Sequence, residues 1–145
     1  MAPTINNHTS ITFEDILKDI LTFDNVMFSV RSPGAVCEVH SDRNLPLRIT
    51  DQYATIGDDS RPWHIHVNIN ETMEARFVIE NKKEDRNSYS IRFFDSKGNL
   101  TLRANFIKMY DSSNALIQER VSKYEQLFTK YGKRHIMSLK QDINS

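Results

Sequence analysis

Between Val26 and Ile107 the apolar residues recur mostly with a period of two, and at both ends of the chain the period lengthens to that of a helix. This switch constrains the fold more than any other feature. Strands gathered consecutively, with helices kept for the ends, cannot build alternating strand–helix–strand units. They build an α+β domain around a mainly antiparallel sheet. The expected layout is an N-terminal helix, about six or more strands and a C-terminal helix, with both helices packed on one face of the sheet.

The helical ends carry their own punctuation. In "TFEDILKDILTF" Thr12 can cap the helix, Asp15 completes a capping box, and Ile16, Leu17, Ile20 and Leu21 line one side. In "SSNALIQERVSKYEQLFTKYG" the expected N-cap is Ser112 or Ser113. Leu116 or Ile117, Val121, Tyr124, Leu127 or Phe128, and Tyr131 form the stripe, and Gly132 is the expected stop. Between the helices, "NVMFSVR" and "AVCEVH" flank the turn "SPG" as a hairpin, and a short strand is expected around Leu47–Ile49, with another near Tyr53–Ile56. "WHIHVNI", "EARFVIE", "SYSIRFF" and "LTLRANFI" follow, the last two joined by "DSKGN", whose Gly98 suits a tight hairpin. Residues 1–10 are expected to be a flexible N-terminus, 11–132 the single domain, and 133–145 a polar tail.

Composition removes several classes. Lys plus Arg equals Asp plus Glu at 19 each, so the basic excess of a nucleic-acid binder is missing. The single cysteine, Cys37, rules out an internal disulfide and every multi-cysteine metal motif. Its parity in "AVCEVH" suggests a buried structural thiol. No apolar run approaches the ~20 residues that cross a bilayer, and the start "MAPTINNHTS" is not a secretory signal. A cytoplasmic protein with no membrane insertion and no nucleic-acid partner is expected.

Strand parity then sorts the remaining side chains. Trp63, Ile65, Val67 and Ile69 share one face, as do Ala75, Phe77 and Ile79, then Tyr89, Ile91 and Phe93, then Leu100, Leu102, Ala104 and Phe106. That face is apolar and needs covering. The opposite face collects His64, His66, Arg31, Arg76, Arg92 and Arg103, with Met27, Val78 and Phe94 among them. Arginine forks bind carboxylates and imidazole binds metals, so this face suits a flat, largely apolar ligand with anionic groups. Periodicity alone also allows a solvated face or a dimer interface. A zinc site on His64 and His66 lacks further ligands of the right parity, since only His40 and Cys37 are candidates and they face opposite ways.

Several segments together resemble the heme-utilisation family that includes ChuX, HutX and the double-repeat HemS and ChuS proteins. "NVMFSVRSPGAVCEVH" is similar to that family's opening strand–turn–strand, "WHIHVNINETMEARFVIENK" to its central strand and the link that follows, and "SYSIRFFDSKGNL" to its strand ending in Phe-Phe-Asp before a glycine turn. The resemblance covers residues 13–131. It implies a single-repeat intracellular protein that binds heme for trafficking, storage or utilisation and pairs as a homodimer. His66 stands where the family places a heme-facing His or Arg, so it is the expected ligand of heme iron, with His64 as the alternative. Arg31 stands where single-repeat members can have a His and double-repeat members an Arg. Arg31 and one or more of Arg76, Arg92 and Arg103 are expected at the propionates, and Met27, Val78 and Phe94 at the macrocycle. The alternatives are a heme-degrading enzyme, for which no catalytic residue can be singled out, and a dimeric interaction module of the same fold that has lost heme binding.

Overall fold

The computed structural model describes residues 11–42, 44–82 and 85–141. The expected flexible N-terminus 1–10, with His8, lies outside them, as does the centre of the charged run "KKEDR" at 82–86, which the sequence leads one to expect as a solvated hairpin turn. Helix α1, Phe13–Ile20, starts where the capping box places it: Thr12 Oγ1 accepts the Asp15 N–H at 3.1 Å, and the Asp15 carboxylate accepts the Thr12 N–H at 2.9 Å. Eight strands follow: β1 Val26–Ser32, β2 Ala35–Ser41, β3 Leu47–Thr50, β4 Tyr53–Ile56, β5 Ile65–Asn68, β6 Glu74–Asn81, β7 Asn87–Phe94 and β8 Leu100–Phe106. Helix α2, Gln118–Lys130, and strand β9, Ile136–Ser138, complete the chain.

The strands form two antiparallel sheets rather than one. Six strands run in the order β2-β1-β8-β7-β6-β9, and three short ones in the order β3-β4-β5. Strand β4 is paired on both sides, by Ile49↔Ala54 and by Ala54↔Val67. A 3-10 turn at Ile69–Glu71 then separates β5 from the larger sheet.

Both helices cover the same face of the six-stranded sheet, as parity predicts. Phe13 of α1 meets the edge of Phe93 at 4.8 Å between ring centroids. Tyr124 of α2 packs edge-on against Phe77, Tyr89 and Phe106. Ala54, Ile56 and Val67 bring the smaller sheet into the same buried cluster. The Tyr124 hydroxyl donates to the Ser90 carbonyl at 2.9 Å, and burial pushes its pKa well above the ordinary phenol value.

Three local expectations are corrected. Neither Ser112 nor Ser113 caps α2. The Asp111 carboxylate accepts the N–H groups of Ser113 and Ala115 and closes a separate turn, so the helix begins only after Ile117, which has no side-chain cap bond. The segment after Gly132, expected as a polar tail, supplies β9, with Met137 1% exposed and Leu139 also buried. Cys37 is exposed, because β2 is an edge strand beyond the reach of the helices.

Candidate functional site

The face of the six-stranded sheet opposite the helices carries the arginines. Register makes the arrangement sharper than parity could. Arg76 lies directly across from Arg92, and Arg92 directly across from Arg103, so three guanidinium side chains stand in one row across β6, β7 and β8. Arg103 in turn faces Ser29 of β1, two residues from Arg31 on the same face. Like charges directly opposite each other on a sheet repel, so each position in the row needs compensation.

Two of the three have it. Arg76 is ion-paired with Glu74 and lies over the Phe94 ring, 4.3 Å from its centroid. Arg92 donates to Glu80 Oε1 at 2.7 Å and to Ser90 Oγ at 3.1 Å. The guanidinium holds the Glu80 carboxyl below its ordinary value through that bond and its charge. Arg103 differs. Its Nε donates to the neutral Asn105 Oδ1 at 3.0 Å, and no carboxylate ion pair reaches it among the described residues. Burial lowers its pKa first, and the charges of Arg92 and Arg31 lower it further, against the weaker opposing pull of Glu80 and Glu38. A half-buried guanidinium flanked by two others, with no ion pair of its own among the described residues, has N–H donors of the kind that bind a carboxylate. Met27, Val78 and Phe94 share this face by register and are each half-buried.

The imidazoles sit elsewhere. His66 is on β5 and His64 just precedes it, so the structure places the pair on the smaller sheet while Arg31 belongs to β1 of the larger one. The single shared sheet surface expected from parity is therefore two surfaces. The period-two runs from Leu47 to Asn68 pair with one another and not with the strands that follow Glu74.

His64 and His66 do emerge on one face, their rings 4.7 Å apart edge to face. Gly57 makes room for the chain at His64: its φ is +94°, and a Cβ there would meet the Trp63 carbonyl at 3.2 Å and the His64 Cβ at 3.3 Å. The buried Thr55 hydroxyl lies 2.8 Å from His66 Nδ1 and fixes the ring, leaving Nε2 without a partner among the described residues. A second-layer bond of this kind is what orients a metal-binding imidazole. His66 borders an open hollow of about 620 Å³ with Arg48, Thr50, Asp51, Tyr53 and Thr55. Sequence reasoning did not find Arg48 or Thr55. Both stand directly across β4 pairings, Arg48↔Thr55 and Thr55↔His66, which only the register of three four-residue strands reveals. Among the described residues no cluster of three or more His, Cys, Asp or Glu side chains forms a metal site.

Together the fold and this face define an α+β sheet domain with helices on one side and an open arginine-bearing surface on the other. A family model matches residues 14–132, and the chain belongs to the ChuX/HutX-like heme-utilisation family. No curated protein matches it in sequence. Among solved structures, a crystal structure of ChuX shares the fold with a TM-score of 0.69 at 17% identity, over 84% of this chain and 73% of that one. Holo-PhuS, a heme-binding protein from Pseudomonas aeruginosa, gives 0.60 at 14% identity, over 75% of this chain and 31% of that one. ChuS, an E. coli heme oxygenase, gives 0.66 at 16% identity, over 98% of this chain and 38% of that one. No helix among the described residues is long and apolar enough to cross a membrane.

Proposed function

We propose that this protein binds heme as cargo, for trafficking, storage or utilisation, through the arginine face of its larger sheet. The observation that carries the reading is Arg103, half-buried beside Arg31 and Arg92 and in ion-pair contact with no carboxylate among the described residues. The propionates of heme are the two anions this family's ligand would bring to that row. Met27, Val78 and Phe94 supply apolar contact for the macrocycle, and Arg76 flanks it. His66, held by Thr55, is the proposed ligand of the iron, with His64 as its alternative. When bound, the iron centre supplies the coordination bond, and the chain's own residues hold the ligand's charged edge and its flat faces.

Titration of the apo protein with hemin, followed by absorbance, tests this. The expected result is a shifted Soret band that saturates. Arg103→Ala weakens binding roughly tenfold or more, the scale of a charge-assisted bond lost. His66→Ala alters the position of the band. A protein whose absorbance merely adds to that of free hemin would end the proposal.

A further inference from the structure

The three arginines that share a row by register do not share a direction. Arg76 leans toward the level of the Glu74↔Phe94 pair, where its ion pair and its ring contact lie. Arg92 and Arg103 lean the other way. Arg92 Nε donates to Ser90 Oγ at 3.1 Å and Arg103 Nε to Asn105 Oδ1 at 3.0 Å, and Ser90 and Asn105 are direct partners across β7 and β8. Two guanidinium groups therefore lie side by side on neighbouring strands, with the buried Ser90 at their base. Neighbouring strands are about 4.8 Å apart, a spacing that the two oxygens of one carboxylate can bridge.

On Arg92 that place is taken from within the chain. Glu80 stands across from Ser88, four residues along β6 from the partner of Arg92, and its Oε1 accepts from Arg92 Nη2 at 2.7 Å. Four residues of strand span about 13 Å, so the two side chains reach for each other along the sheet. The same Oε1 lies 3.5 Å from Lys82 Nζ, so Glu80 keeps one cation when it gives up the other. Its side chain is 40% exposed and open to competition from solution. An anion that binds Arg92 must therefore exchange with Glu80, and only the difference between the two bonds counts toward its affinity.

We infer that Glu80 is an internal stand-in for the ligand: it occupies Arg92 until a carboxylate from solution bridges Arg92 and Arg103, and then passes to Lys82. Glu80 thereby sets how tightly the arginine face holds its ligand and how readily it gives the ligand up. The inference rests on the heme reading, whose propionates are the incoming carboxylates.

Hemin titration of the full chain carrying Glu80→Gln tests it, since glutamine keeps the shape and removes the charge. Binding is expected to tighten roughly tenfold, because exchange at Arg92 becomes addition. Loss of any negative charge from this face favours an anion, so a double-mutant cycle decides between the two causes. In an Arg92→Gln background the same Glu80→Gln change is expected to tighten hemin by no more than about twofold. Hemin dimethyl ester, which brings no carboxylate, should bind the unaltered and Glu80→Gln proteins equally. A gain of the same size with and without Arg92, or for the ester as well, would reduce Glu80 to a background charge and overturn the inference. So would unchanged affinity in a Glu80→Gln protein that still binds hemin, which leaves the heme reading standing. Failure of hemin to saturate either protein would end that reading and this inference together.

Discussion

Arg103 and His66 show how much one residue's meaning depends on what stands directly across from it. Parity in the sequence put Arg76, Arg92 and Arg103 on one face with Met27, Val78 and Phe94, and the structure agrees. Parity could not say that the three arginines stand in a single row, because register is a property of pairs of strands. For the same reason Thr55 was invisible as the partner of His66. Replacing Thr55 with valine keeps the shape and removes the hydroxyl, so hemin affinity is expected to fall roughly tenfold, as for other lost supports of a metal-binding imidazole. Urea unfolding should move by no more than about 1 kcal/mol. Equal losses of affinity and stability would instead mark Thr55 as purely structural. Glu80 carries a pH signature on the same face. Its carboxyl is held below the ordinary value by Arg92, so the stabilisation is present above the unfolded-state value and is lost as pH falls through the lowered one. Both groups retain solvent contact, so the loss is under about 1 kcal/mol. A Glu80→Gln protein should lack that step in an acid titration of stability.

At the scale of elements, the parts written locally were legible and those written across the chain were not. The capping box at Thr12 and Asp15, the stripe Val121–Tyr124–Leu127 and the stop at Gly132, whose φ is +87°, all act within a few residues. Thr12→Ala should therefore cost about 1 kcal/mol, read as a lower urea midpoint at unchanged slope. Strand β9 was missed because Ile136–Ser138 alternates over only three residues, too few to establish a period. Its importance lies in Met137, which enters the core directly across from Ala75 and is 1% exposed. Met137→Ala should cost about 2–5 kcal/mol, the range for truncating a buried methionine. A loss near zero would show that the last strand merely decorates the sheet. The late start of α2 has a different origin, and it is a local exception. Asp111 competes for the N–H groups of residues 113 and 115, and nothing in the serines themselves reveals that rival.

For the molecule as a whole, the division into two sheets turns the heme reading into a question of reach. The arginine row is on the larger sheet and the imidazoles are on the smaller one, yet both sheets share one core and cannot move independently without opening it. If a single heme spans them, its carboxylates and its iron report on different residues of the same one-to-one complex. Hemin and its dimethyl ester separate the two, since the ester keeps the iron and the flat ring but loses both charges. Arg103→Ala should weaken hemin roughly tenfold or more and leave the ester nearly unchanged, because the interaction it removes is with a carboxylate. His66→Ala should shift the Soret band of both ligands, because the bond it removes is to iron. With one shared ligand the stoichiometry stays at one through every variant. Were the sheets to bind separately, His66→Ala would abolish one class of bound hemin and leave an Arg103-dependent class with an unligated spectrum. That outcome would assign the arginine row to some other anion and confine the iron to the hollow beside Tyr53 and Arg48.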